Sequence, residues 1–309
     1  MASQSTNSLA GLLQMNDRNV LDLGITDLLQ DAPVLNVLAA VEASDGLYHK
    51  YLRGTVAAGA GFRAINSGIS NAAAQEEVVT HELKFMDASF TRDVALCRGY
   101  VKGPEAFMAR EGTSAWKAAF SGVEKRIFTL LANGDTLGFL GLADQLANLN
   151  NSQVLNASGS GSTTTSVYIV RSTPDSVAVV AGDAGKLTIG DVYEVETRDG
   201  SNRPYSAYRQ TIGGYLGFQF GSTYSAVRIA NITSAKPLSD GLIAEALSAF
   251  PAGRGATHII CNRTSLMQLQ KGRTATNPTG APAPFPSEAF GVPIVVTDSI
   301  GNAEAALTT

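Results

Sequence analysis

One stretch of this chain is hard to accommodate in an ordinary domain. Gly54–Gln75, GTVAAGAGFRAINSGISNAAAQ, holds four Gly, seven Ala and a single charged residue, Arg63. It has neither a helical stripe nor sustained alternation, and it is far longer than the ~4–6 residues of a typical connection. Leu47–Arg53 before it has the composition of a strand. Val78–Leu96 after it is expected to be extended, with Val79, His81, Leu83 and Phe85 alternating against Thr80, Glu82 and Lys84. Two strands bracketing such a segment predict a projecting hairpin. Extended at ~3.3–3.6 Å per residue and folded back on itself, the segment reaches ~35 Å, enough to lie across an adjacent molecule. Arg63 is either a solvated group that keeps the loop soluble or the partner of a carboxylate on a neighbour. Its isolation favours the pairing.

The second constraint is a long helix. Between Pro104 and Asn133, the residues Trp116, Ala119, Phe120, Val123, Ile127, Leu130 and Leu131 recur at three- and four-residue steps and define one face. Ser121, Glu124, Lys125 and Thr129 fall between them and are expected to face water or another subunit. Pro104 suits a first turn, where its missing N–H costs nothing, and Glu105 suits the positive end of the dipole. Asn133-Gly134 tolerate the left-handed conformation that ends a helix, and Gly112 marks a kink or a split. At ~1.5 Å per residue the rod is ~45 Å long. It is a spine, with a core predicted at Trp116, Phe120, Val123 and Ile127.

The remaining segments are shorter. Residues 1–8 are polar, and Leu9–Leu38 carries apolar clusters broken by Asp17, Gly24, Asp31 and Pro33, an arm that needs a surface to bury against. After the spine, Asp135 is placed to cap a helix to Leu149 that buries Leu137, Leu140, Ala143, Leu146 and Ala147. Asn156–Ser166 is a polar linker. From Val167 to Ile232 the period is two, in VYIV, SVAVV, VYEVET, YLGFQF and YSAVRIANI, which predicts an antiparallel sheet region. Next, Ser239 or Asp240 caps a short helix, His258–Cys261 is a buried strand, and Asn262 or Thr264 caps a helix through Lys271. A Pro-rich loop and a strand at Val292–Thr297 follow. The fold class is α+β with mixed sheets.

Composition and motifs exclude more than they assign. Charged residues make up 16% of the 309-residue chain, against ~25% in typical soluble domains, and Gly contributes 31 residues. Such a surface suits either coverage by other subunits or a neutral globule. The net charge of −4, without a basic run, disfavours a sequence-reading nucleic-acid binder. No apolar run approaches the ~18 residues of a membrane span, and the N-terminus does not have the pattern of a secretory signal. Cys97 and Cys261 are too few for a disulfide framework or a zinc site and fit a reducing cytosol. GDAGKLT at 182–188 departs from a phosphate loop in spacing and at Leu187, so a β-turn is expected there. His49, His81 and His258 stand in no ligand spacing, and no nucleophile elbow is present. The triplets beginning at Asn150, Asn156, Asn231 and Asn262 are chance glycosylation matches. No catalytic residue, cofactor or metal is expected.

The order of parts, an apolar arm, a long loop on two strands, a spine helix, a sheet and a helix–strand unit, resembles the major capsid proteins of tailed bacteriophages, with the Hong Kong 97-type fold. GAGFRAIN (59–66) is similar to the start of the E-loop in one phage branch. SAYRQTIGGYLGFQF (206–220) with VRIANI (227–232) is similar to its P-domain strands. THIICNRTSLMQLQ (257–270) and GVPIVVTDSI (291–300) resemble its A-domain. The resemblance spans nearly the whole chain. It implies an N-arm (1–44), an E-loop with flanking strands (45–92), a P-domain spine helix (93–135), a helix leading into the A-domain with a linker (136–166), P-domain strands (167–235) and an A-domain (236–309). In common members of the fold the P-domain strands close the chain, so the segment order looks permuted here.

The resemblance also implies a function. Copies would assemble as hexamers and pentamers into an icosahedral capsid enclosing double-stranded DNA, with Gly59, Gly61, Phe62, Arg63 and Asn66 of the E-loop at assembly contacts. The implied partners are other copies, a separate scaffolding protein, a portal, a cement or decoration protein and packaged DNA through non-specific contact, with no membrane. The protein would be made in the host bacterial cytoplasm and reside in the virion. No Lys lies between Lys50 and Lys84, so no covalent crosslink from the loop is expected. Residues before the spine are taken up by arm and loop, which leaves no internal scaffold. The competing readings are an encapsulin-like nanocompartment shell and a cytosolic hydrolase using His258 or His81.

Overall fold

The computed structural model describes residues 31–68, 73–134, 136–277 and 281–308. Most of the apolar arm, and Asp135 with its expected cap, lie outside the described residues. A 3-10 turn at Val34–Asn36 leads to strand β1 (Ala39–Glu42), then β2 (Tyr48–Val56) and β3 (Gln75–Glu82). Strands β4 (Lys84–Asp87) and β5 (Phe90–Asp93) follow, then helix α1 (Val94–Arg98) and the spine α2 (Pro104–Phe128). The extended stretch predicted through Leu96 ends at Asp93, whose Oδ1 accepts the Ala95 N–H at 2.7 Å and starts α1.

After α2 come α3 (Leu142–Gln145), β6 (Val154–Asn156), β7 (Thr165–Val170), β8 (Val177–Ala181) and a single helical turn α4 (Gly182–Gly185). That turn stands where a β-turn was expected. Strands β9 (Thr188–Ile189), β10 (Tyr193–Arg198), β11 (Pro204–Gln210), β12 (Ile212–Phe220) and β13 (Ala226–Ile232) precede α5 (Asp240–Ser248). The chain continues through β14 (His258–Cys261), α6 (Arg263–Ala275), β15 (Glu288–Ala289) and β16 (Val292–Val296).

The chain divides into two units. The first is formed by residues 85–125 and 186–214, the second by 33–84, 126–185 and 215–308. In the first, β10, β11 and β5 form an antiparallel sheet in that order. Cys97, Tyr100, Phe107 and Met108 make its core, with Phe90, Leu96 and Tyr208 packed on them. Arg92 and Glu111 pair at 2.6 Å beside this core. Gly112 does not break the helix. A Cβ there would sit 3.1 Å from the Gln210 side chain and 3.8 Å from the Phe90 ring, so glycine lets the sheet close on the helix.

The second unit holds a six-stranded sheet in the order β15-β16-β14-β7-β13-β6. Every residue of β7 and β13 is buried. Ile169, Val227, Ile229, Ile243, Ile259 and Leu269 are among the residues of the core that joins this sheet to α5 and α6. Ser239 Oγ caps α5 and Asn262 Oδ1 caps α6, where it accepts the Ser265 N–H at 2.8 Å. The 167–232 stretch is therefore not one sheet. Its first and last strands, β7 and β13, join the sheet that holds β14 of the closing helix–strand unit, with β7 between the other two, while β10 and β11 belong to the other unit. The change of segment order inferred from the sequence depended on treating that stretch as a single block, and the sheet order divides it.

Two side-chain clusters account for other departures from expectation. Arg126 donates through Nε to the Phe139 carbonyl at 2.7 Å, through Nη1 to the Thr129 carbonyl and through Nη2 to Asp144. Asp144 in turn accepts the N–H groups of Leu131 (2.7 Å) and Gly141 (2.9 Å). This network takes up backbone groups that a continuing helix would use, so the spine stops at Phe128 and Leu130 is extended, with a 3-10 turn at Leu131–Asn133. The helix expected over 135–149 shrinks to Leu142–Gln145 for a related reason. A Cβ on Gly141 would come within 2.5 Å of the Ile127 carbonyl oxygen, so the backbone runs against α2 there. Leu142, Ala143 and Leu146 are buried, whereas Leu137 and Leu140 are exposed.

Residues 156–166 are no free linker either. Ala157 and Gly159 donate to the carbonyls of Ala230 and Asn231, both across 2.9–3.0 Å. Asn231 sits at a bulge of β13 with φ of 61°, where its Nδ2 bonds Asn156 Oδ1 and the Leu307 carbonyl.

Candidate assembly surface

The hairpin β2–β3 forms a two-stranded sheet of its own, in register from Tyr48 opposite Glu82 to Gly54 opposite Glu76. Alternation gives it two faces. On the inward face are His49, Tyr51 and Arg53, opposite His81, Val79 and Glu77. On the outward face Leu52 and Val78 stand directly opposite each other, 65% and 61% exposed. Tyr48 extends this apolar stripe, with Lys50 over the Tyr48 ring.

The loop beyond the strands carries the assembly residues named from the sequence. Gly59, Gly61, Phe62, Arg63 and Asn66 are all exposed, and Phe62 has no shielding at all. The loop has local order at 64–67. The Ser67 N–H and Oγ both bond the Ala64 carbonyl at 3.2 Å, and Asn66 takes a left-handed φ of 63° that Asn tolerates better than most residues. Arg63 donates to the Ser67 carbonyl at 3.2 Å, which ties its side chain across the same turn. Phe62 and Ile65 project from it into solvent.

Sequence reasoning missed the anchor at the base of the hairpin. His49 Nε2 lies 2.8 Å from Gln219 Oε1, and Tyr51 Oη donates to the Phe220 carbonyl at 2.6 Å. His81 Nε2 is 3.2 Å from the same Tyr51 oxygen, and the Tyr51 and His81 rings stack 5.7 Å apart. Burial pushes the Tyr51 hydroxyl above its ordinary range, and burial, His49 and Arg53 together push the His81 imidazole below its own. The signal in the sequence was the alternation itself, which puts His49, Tyr51 and His81 on one face.

The helix residues expected in the core differ among themselves. Val123 and Ile127 are buried, but Trp116 is half-buried and Phe120 is 37% exposed, and their rings stack at 5.2 Å. Ser121 and Glu124, expected at the surface, are buried. The last turns of α2 are enclosed on nearly every side, so a one-stripe pattern does not describe them. The loop set lies in the second unit, whereas Trp116, Phe120 and Val123 lie in the first.

The other candidates are placed in packed structure. His258 begins β14, its Nδ1 3.0 Å from Thr257 Oγ1, and burial lowers its pKa. Burial pushes the Cys261 thiol up to about 12. Among the described residues no group of three or more His, Cys, Asp or Glu is placed to hold a metal, and no helix is long and apolar enough to cross a membrane.

A hairpin that leaves Leu52, Val78, Phe62 and Ile65 to water is a geometry for association. The family model of the major capsid protein GP7 matches residues 21–308. The chain belongs to this family of major capsid proteins. Its fold is shared with the structure of bacteriophage Epsilon15, at a TM-score of 0.65 and 18% identity over 100% of this chain and 99% of that one. The capsid of bacteriophage JBD30 aligns at a TM-score of 0.50 and 11% identity, over 93% and 97% of the two chains. The encapsulin SrpI of Synechococcus elongatus PCC 7942 aligns at only 0.45, with 7% identity over 75% and 96%. A search of curated proteins finds no match. The Hong Kong 97-type fold expected from the sequence resemblance is the fold of this GP7-family capsid protein.

Proposed function

We propose that copies of this chain assemble as hexamers and pentamers into a closed icosahedral shell around double-stranded DNA, with residues 57–74 of each copy laid over a neighbour. The observation that supports this reading is the hairpin, whose outer apolar stripe and loop residues Phe62 and Ile65 are left to water in the single chain. Covering them would add to obligate interfaces of ~2,000–5,000 Å². The scarcity of charge in the loop keeps the desolvation cost of that coverage low, and its glycines permit close backbone approach. Assembly would draw on a separate scaffolding protein, a portal and a cement or decoration protein, with packaged DNA touched without sequence preference. The shell would form in the host bacterial cytoplasm. The role is structural, with no catalytic step.

Deleting Val56–Ala74 tests the reading. Soluble subunits that fail to close into shells in electron micrographs, with their scaffold supplied, are the expected outcome. Normal particles from that variant would remove the loop from assembly.

A further inference from the structure

We infer that the loop of one copy is received by a pocket at the start of α2 in a neighbouring copy. The Phe62 ring enters beside Met108 and Tyr208, and Arg63 pairs with Glu105 at the mouth. This rests on the reading that residues 57–74 lie over a neighbour, and it names the surface they meet.

The pocket lies within the first unit and has a volume of about 410 Å³. Glu105, Met108 and Ala109 of α2 line it, together with Val192, Tyr208 and Gln210. Met108 is buried and forms the floor, Tyr208 packs on the same core, and Val192, 43% exposed, stands at the rim. Gln210 is already tied through Nε2 to the Gly190 carbonyl at 3.2 Å, so its amide makes no demand on an occupant. Such walls suit an aromatic ring. Burying one removes ~150–250 Å² from water and adds a thioether contact with Met108 and a ring contact with Tyr208. Phe62 is the loop's aromatic residue. In its own chain it has no shielding at all, so its own pocket is not where it sits.

Charge selects this occupant and its direction. Glu105 is the charged residue of the lining, is exposed, and makes no hydrogen bond or ion pair among the described residues. The start of α2 opposes it with a partial charge of only about +0.5, so the carboxylate wins and the mouth is negative. Lys102 and Asp191, which flank the lining in sequence, offset each other. On the loop, Arg63 is the single charge between Gly54 and Gln75, and it adjoins Phe62. Its contact with the Ser67 carbonyl runs through Nη1, which leaves the rest of the guanidinium for a carboxylate. An apolar residue beside a cation thus meets an apolar pocket beside an anion. Ring and charge together fix the register, as complementary groups at an interface do.

Charge reversal tests the seat, with the yield of closed shells in electron micrographs as the readout and the scaffold supplied. Arg63→Glu and Glu105→Arg should each lower that yield about tenfold or more, because like charges then face each other. The double variant should return it to near the wild-type level. It carries both substitutions, so any cost of an Arg at the start of α2 is present in it as well, and the rescue reports the pairing alone. Ala109→Trp, at an exposed position, fills the pocket and should block closure with the charge pair intact and the unfolding midpoint of the free subunit unchanged. A double variant no better than its parents would overturn the seat, as would normal shells from Ala109→Trp or from Glu105→Arg. Those results would leave the loop's place over a neighbour standing. Only normal shells from the deletion of Val56–Ala74 would remove both.

Discussion

Strand pairs β7–β13 and β2–β3 are antiparallel ladders within the same unit, yet they meet opposite fates. In β7–β13 every side chain is buried, and Thr165, Ser166, Arg228 and Asn231 are hydrogen-bonded. Arg228 bonds Glu304, Ser166 and the Leu146 carbonyl at 3.0 Å each and lies over the Tyr168 ring. In β2–β3 only one face is shielded, and Leu52 opposite Val78 is left to water. Both ladders are rich in β-formers, so strand propensity does not separate them. What differs is the location of the packing partner. For β7–β13 it is in the same chain. For β2–β3, on the assembly proposed for this protein, it is in another copy.

The comparison can be broken most severely at Arg228. Arg228→Ala leaves the Glu304 carboxylate without its cation beneath the C-terminal strand contacts. It should cost about 3–5 kcal/mol, the usual penalty for removing one partner of a buried pair. Denaturant unfolding of the subunit should show a lower midpoint with an unchanged slope. Ile229→Ala, next in the same strand and fully buried, should cost about 2–5 kcal/mol through transfer and cavity terms. If either loss were confined to assembled shells, the packing partner of β13 would be another copy too, and the contrast would collapse.

Much of this architecture is legible in the amino-acid sequence. The hairpin, the start of the spine at Pro104 and the cap candidates Ser239 and Asn262 depend on local rules of turn, cap and period, and local rules are visible in one sequence. The end of the spine is not, because it is set by Arg126 reaching forward to Thr129 and Phe139 and by Asp144 reaching back to Leu131. The assignment of β7 and β13 to one sheet with β14 is hidden for the same reason: strand order depends on which distant segments meet. The anchors of the hairpin base combine the two cases. The alternation of His49, Tyr51 and His81 is readable, but their partners Gln219 and Phe220 are not.

Trp116 shows how the structure resizes an expectation. As a core residue its loss would cost about 3–5 kcal/mol. Half-buried and stacked on an exposed Phe120, it should cost about half of that on removal of its ring. Thermal unfolding of Trp116→Ala as a free subunit should therefore show a smaller shift than Ile229→Ala. A loss as large as that of Ile229→Ala would mean that the Trp116 ring is fully enclosed in solution.

The smallest effect on the subunit is expected where the comparison is sharpest. Leu52→Thr with Val78→Thr keeps good strand formers in both positions and removes the apolar pair from the outer face of the hairpin. Beyond their contact with each other, both side chains are left mostly to water, so the unfolding midpoint of the free subunit should barely move. Shell closure should nevertheless slow or stop, because the surface offered to a neighbour has changed. The two measurements have to be made on the same preparation. A lowered midpoint would place the partner of this face within the single chain and make β2–β3 a second β7–β13. An unmoved midpoint with normal shells would leave the exposed pair without a role in assembly and transfer the burden to Phe62 and Ile65 at the loop. Only an unmoved midpoint with failed closure separates folding from association residue by residue, as the contrast between the two ladders requires.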